Sequence, residues 1–191
     1  MANICCDDVY FFSKEHPERV QELWEDLETA IILCSHTPDD CWIGNLLNYK
    51  KISTKNLSLR GSVCYMEHDD ASVLLSLEAY WSPLYEAYQR IADAYGVSFV
   101  MKSIEPGNSI YYNTDNEGLY FCEHYCIHII DESLIPQNIS NVLEDEEPFE
   151  SVHSILEKFK AFGYSADSLS DLEAQLENIG IEIHKFKNPY Q

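Results

Sequence analysis

Basic residues are scarce in this sequence. Twelve lysines and arginines stand against 33 aspartates and glutamates, a net charge of −21 over 191 residues. A surface of that sign repels phosphate backbones and anionic bilayers, so neither direct nucleic-acid binding nor membrane binding is expected. It would attract basic proteins, although an acidic, well-solvated surface that merely keeps a protein soluble accounts for the same numbers. Long apolar runs are also missing. The longest, such as the one within Thr29–Leu33, fall far below the ~20 residues of a membrane span. The start MANICCDDVYFF lacks a basic segment and carries two aspartates where a secretory signal would be apolar, which leads to an expected cytoplasmic location.

Chemical signatures are equally sparse. No CxxC, phosphate loop, GxGxxG, HExxH or GxSxG occurs, so no cofactor is expected and an enzyme is the less favoured reading. The seven cysteines are odd in number and scattered (Cys5, Cys6, Cys34, Cys41, Cys64, Cys122, Cys126), a usage that fits reduced thiols, several buried, better than a disulfide framework.

What is present is core-forming material: 46% of the residues are hydrophobic and 13% aromatic, ample for a packed interior. NICCDDVYFFS reads as a strand. Pro17 suits the first turn of a helix whose stripe is Val20, Leu23, Trp24, Leu27, Ile31 and Cys34. HTPDD is read as a turn, CWIGNLLNYKK as a short helix and STKNLS as a loop. LRGSVCYME and SVLLSLEAYW form an expected β-hairpin through HDDA. Ser82 and Pro83 would open a helix with the stripe Leu84, Ala87, Tyr88, Ile91 and Tyr95, closed by Gly96. VSFVMKSI, SIYYN and LYFCEHYCIHII are further strands.

The order strand, helix, strand, strand, helix, strand is that of a ferredoxin-like α+β sandwich, an antiparallel sheet with two helices on one face. The expected domain covers residues 1–130, including an extra hairpin over 109–130. Residues 131–150, with Pro136, Pro148 and EDEE, read as an acidic linker or surface connection. Residues 151–191 read as a C-terminal helix-helix-strand extension, its second helix capped by Ser170 and Glu173.

The stretch GLYFCEHYCIHII, residues 118–130, places Cys122, His124, Cys126 and His128 at every second position. On a strand, i and i+2 lie about 6.6 Å apart on one face and i and i+4 about 13 Å apart. A zinc ion holds its ligands at roughly 2.0–2.3 Å, so one straight strand supplies at most an adjacent pair such as His124 and Cys126. Cys64 or His68 would have to complete such a site, and a plain strand face is favoured over metal binding. A catalytic Cys122–His124 pair lacks any feature that would activate the thiol. NTDNEG resembles the start of a calcium loop, but His124 stands where its bidentate glutamate belongs, and a glycine-assisted turn at Gly118 is favoured. Tyr10, Tyr65, Tyr80, Tyr111, Tyr112 and Tyr125 fall in strand candidates, where ordinary cross-strand packing is favoured over a recognition surface.

LEAYWSPLYEAYQRIADAYGVSFVMKSIEPG resembles the YubB-like group of phage, plasmid and other mobile-element proteins of bacteria. The matching residues are Trp81, Ser82 and Pro83 at the helix start, Glu105, Pro106 and Gly107 at the acidic turn, and Gly118 in the hairpin. Ile4 and Leu84 stand where that group usually has tryptophan and a second proline. The likeness spans about residues 59 to 125 and implies a ferredoxin-like fold and a mobile-element setting, but no activity. Together with the acidity, it leads to an expected non-catalytic module that binds a protein. The alternatives are a nucleic-acid mimic that occupies a DNA-binding host protein, and an enzyme with an unrecognised site.

Overall fold

The computed structural model describes residues 3–33 and 37–191. They divide into two compact units, Met1–Asp115 and Asn116–Gln191.

In the first unit, strand β1 (Ile4–Phe12) buries every second residue. Cys5, Asp7, Val9 and Phe11 face the core, which is why an apolar/polar alternation here reads as β. Helix α1 (Pro17–Ala30) buries Val20, Leu23 and Leu27. Ile31 is also buried, but its backbone is already extended and it caps the helix. Cys34, placed on the same stripe from the sequence, lies outside the described residues. The turn and short helix expected next are a 3-10 turn over Pro38–Cys41 and α2 (Gly44–Tyr49).

Strands β2 (Gly61–His68) and β3 (Ser72–Tyr80) pair antiparallel, with a bulge between Val63 and Tyr65. Asp69 closes their turn by accepting hydrogen bonds from the Ala71 and Ser72 amides. Helix α3 (Tyr85–Tyr95) ends at Gly96, whose φ of 65° is the left-handed conformation a helix stop needs. Its start differs from expectation. Leu84, not Ser82, is the cap residue, and no side chain of the local segment caps it.

Strands β4 (Ser98–Glu105) and β5 (Ile110–Asn113) complete a sheet of order β2-β3-β1-β4-β5, antiparallel throughout. Its first four strands have the ferredoxin-like arrangement. One apolar core joins Val9, Phe11, Leu75 and Leu77 of the sheet to Leu23 and Leu27 of α1 and Tyr88 and Ile91 of α3. Full burial of one such leucine is worth roughly 2 kcal/mol.

The second unit corrects the expected hairpin over 109–130. β5 pairs with β4, whereas β6 (Tyr125–Ile129) pairs with β7 (Pro148–Phe149) and β8 (Ile181–Lys185) in a separate three-stranded sheet. The strand is five residues long rather than twelve. The segment 131–150 is structured too: it holds α4 (Gln137–Ser140) and β7, and contributes Ile135, Ile139, Leu143 and Phe149 to the core. Ile135, Ile139 and Leu143 recur every fourth residue, but Pro136 and the acidic run keep that stripe short, and they become a core only against α5 (Val152–Ala161) and α6 (Leu169–Leu176). Ser151 and Ser154 cap α5 reciprocally. α6 begins two residues earlier than Ser170 implied, capped by Ser168, which accepts a bond from the Asp171 amide. Among the described residues no helix is long and apolar enough to cross a membrane.

Candidate functional site

The histidine- and cysteine-rich stretch does not converge. Cys122 and His124 precede β6, so the four residues do not share one strand face. Cys122 sits 3.4 Å from a Glu150 carboxylate oxygen, and that contact raises the thiol pKa. The His124 amide donates to the Phe149 carbonyl, and its own carbonyl accepts from Phe186. Cys126 is buried on β6. Cys64 and His68 belong to β2 in the other unit, where the His68 ring stacks on Trp24 at 5.3 Å. Among the described residues no three His, Cys, Asp or Glu side chains are grouped as a metal ion requires, and none of the six described cysteines is half of a disulfide. Burial raises the Cys5 and Cys64 thiols as well, which keeps them protonated and poorly nucleophilic.

The motif residues around Trp81 and Glu105 do converge. Asp7, 1% exposed, points from the middle strand into the core. Its carboxylate accepts hydrogen bonds from the Leu84 amide at 3.0 Å and the Tyr88 hydroxyl at 2.6 Å. A strand residue 77 positions away thus supplies the cap that α3 lacks locally. Desolvation raises the Asp7 pKa, and the bonds from Tyr88, Ser103 and Leu84 oppose that rise. Glu105, also buried, accepts from the Asn108 amide at 2.8 Å and so closes the 3-10 turn Pro106–Asn108. A side chain at Gly107 would push aside the Asn3 amide and the Glu105 carboxylate that closes the turn. The Glu105-Pro106-Gly107 motif is therefore a turn device, and Pro83 lies in the irregular segment just before α3. Gly118 is left-handed at φ 65°, as a turn glycine should be.

Trp81 is the exception to this economy. Its φ is 74°, a conformation that bulky side chains avoid, yet the ring is 47% exposed and so gains little packing in return. Its amide donates to the Asn3 carbonyl, which holds the residue at the end of the sheet. Beside it Tyr80 and Ile4, directly paired across strands, are each 46% exposed. Tyr80 also lines an open groove of about 760 Å³ with Trp42, Leu59, Arg60, Gly61 and Ser62. Trp42 is fixed there: its indole N–H donates to the Leu59 carbonyl, and its backbone bridges to Ser62 on the edge strand β2. The Trp42 ring packs directly over Gly44, so Gly44→Ala should displace it, destabilise the unit by about 1–3 kcal/mol and alter the groove. Urea denaturation together with Trp fluorescence would register both effects.

Two of the expected aromatic residues, Tyr65 and Tyr80, are thus half-exposed on the first unit, whereas Tyr111 is buried. The groove residue Trp42 and the strained Trp81 backbone were not foreseen as a pair. Trp42 carried no motif, and φ is invisible in sequence.

The acidic clusters are partly engaged locally. Lys50 pairs with both Glu22 and Asp26, Glu25 accepts from Gln21, and Lys158 pairs with Glu147 at 2.7 Å. The first-helix cluster and the run Glu144–Glu147 lie in different units. No family model, curated protein or solved structure matches this chain.

Proposed function

We propose that the protein is a non-catalytic interaction module of mobile-element type, and that it docks a partner protein at the groove between Trp42 and Tyr80. The partner is expected to present a basic segment with an apolar anchor. The observation that carries this reading is Trp81: a large aromatic kept in a costly backbone conformation at the surface, next in the chain to Tyr80, which pairs with Ile4 and lines the groove. A net charge of −21 supplies the complementary field for a basic partner and discourages a nucleic acid. The likeness of Trp81, Pro83 and the Glu105 turn to the YubB-like group supports the same setting.

Trp81→Gly separates docking from folding. Removing the side chain relieves the left-handed strain of about 1–2 kcal/mol, and the greater freedom of glycine in the unfolded chain offsets roughly half of that. Stability should stay within about 1 kcal/mol of the parent, while partner capture is lost. The assay is photo-crosslinking from a probe placed at Ser62 in host lysate, with the captured protein identified. A basic protein whose capture needs Trp81 and weakens with salt supports the proposal. Capture that is indifferent to Trp81→Gly and Tyr80→Ala, or that selects acidic proteins, refutes it.

A further inference from the structure

We infer that the first unit carries a second, independent binding site, a basic groove beside α3 that takes a compact phosphoryl-bearing anion. The groove, about 700 Å³, is lined by Lys50, Lys51, Ser53, Lys55, Asn56 and Arg90, with Asp93 at its side. Four of the chain's twelve basic residues thus lie around one depression of a strongly acidic protein.

The four cations divide into two that build the site and two left for a ligand. Arg90 donates to the carbonyls of Ser53 and, at 3.0 Å, Lys55, and so pins the segment that follows α2 against α3. Lys50 is committed to Glu22 and Asp26 and lies 4.5 Å from the centre of the Tyr95 ring. Lys51 and Lys55 are exposed and form no ion pair among the described residues. Asp93, the single acid of the lining, accepts from Gln89 at 2.9 Å. The segment is also strained: Lys51 and Asn56 have φ of 58° and 64°, in the left-handed region. Backbone strain, a pinned loop and two ammonium groups outside any ion pair are combined at one depression.

The ligand class follows from charge and size. Lysine ammonium groups bind phosphate as point charges, and a groove of this volume is in the usual range for a small molecule. A compact anion can sit among the local cations with Asp93 as the one acid beside it, whereas an extended polyanion would run on over a protein of net charge −21.

The test is an amide-resolved NMR titration of the full chain with inorganic pyrophosphate at constant ionic strength. The expected result is saturable perturbation concentrated at Lys51–Asn56, weakened roughly tenfold in the double variant Lys51→Gln/Lys55→Gln as two exposed charge contacts are lost. Both side chains are exposed, so the double variant should keep the parent's melting temperature. Perturbation spread over all lysines and arginines, an unsaturable response, or full binding in the double variant would overturn the inference. So would a single-stranded oligonucleotide that binds the same residues as tightly as pyrophosphate does.

Discussion

Replacing Phe159 with alanine is expected to lower the stability of the Asn116–Gln191 unit by about 4 kcal/mol, in the range that large-to-small core changes show. Phe159 is fully buried on α5 and meets Phe162 and Tyr164 edge-on, with ring centroids at 6.0 and 6.4 Å. Two of its neighbours are rigid rings that cannot reshape to fill the void, so the loss combines apolar transfer, the cavity and two ring contacts. The unit is small and its core cluster has ten buried side chains, so a loss of this size is a large part of its stability. Native-state hydrogen exchange is the suitable measurement, because it reports on each unit. Protection should collapse at Ile127 and Ile155 and persist at Val9 and Leu77, which belong to the other core. An equal loss of protection at both sets would show that the two cores unfold as one.

Asp7→Ala should destabilise the first unit by about 2–4 kcal/mol, through two stranded donors and a small void. The Leu84 amide and the Tyr88 hydroxyl both lose their acceptor inside the core, and α3 loses its cap. Asp7→Asn keeps the shape and one acceptor oxygen and should cost far less. The pair of variants also exposes a pH dependence. Because burial raises the folded-state pKa above the usual 3.8, the unfolded chain releases this proton first as pH rises. The stability contributed by the protonated carboxyl is therefore complete below about pH 3.8 and is lost upward until the folded carboxyl ionises. Relative to the non-titrating Asp7→Asn, the parent should look best at acid pH and lose ground by up to about 1.4 kcal/mol per pH unit across that window. Denaturant unfolding of both proteins from pH 4 to 8 decides it, and a difference that is flat with pH would mean that Asp7 ionises in the fold as readily as in the open chain.

The alternation in β1, the stripe of α1, the hairpin through Asp69 and the stop at Gly96 were all legible in sequence, since each depends on contacts within a few residues and on a period of 2 or 3.6. The same local signals sufficed for the α+β class and the ferredoxin-like order. They failed where a partner from far along the chain decides the outcome. GLYFCEHYCIHII alternates like one long strand, but only Tyr125–Ile129 forms one, paired with Pro148–Phe149 and Ile181–Lys185, so Cys122 and His124 lie before it. Residues 131–150 look like a linker because the four-residue spacing of Ile135, Ile139 and Leu143 is hidden between two prolines and an acidic run; helices α5 and α6 make them a core. Asp7 falls on the apolar face of β1, and its role as the remote cap of α3 required the sheet to bring residues 7 and 84 together. The candidate surfaces lie furthest from sequence. Trp81 is marked by a backbone dihedral and a half-exposed ring, and the basic groove by the way Arg90 folds a loop so that Lys51 and Lys55 sit beside it. Periodicity determines which side of an element is buried, but only long-range pairing determines which exposed groups end up adjacent.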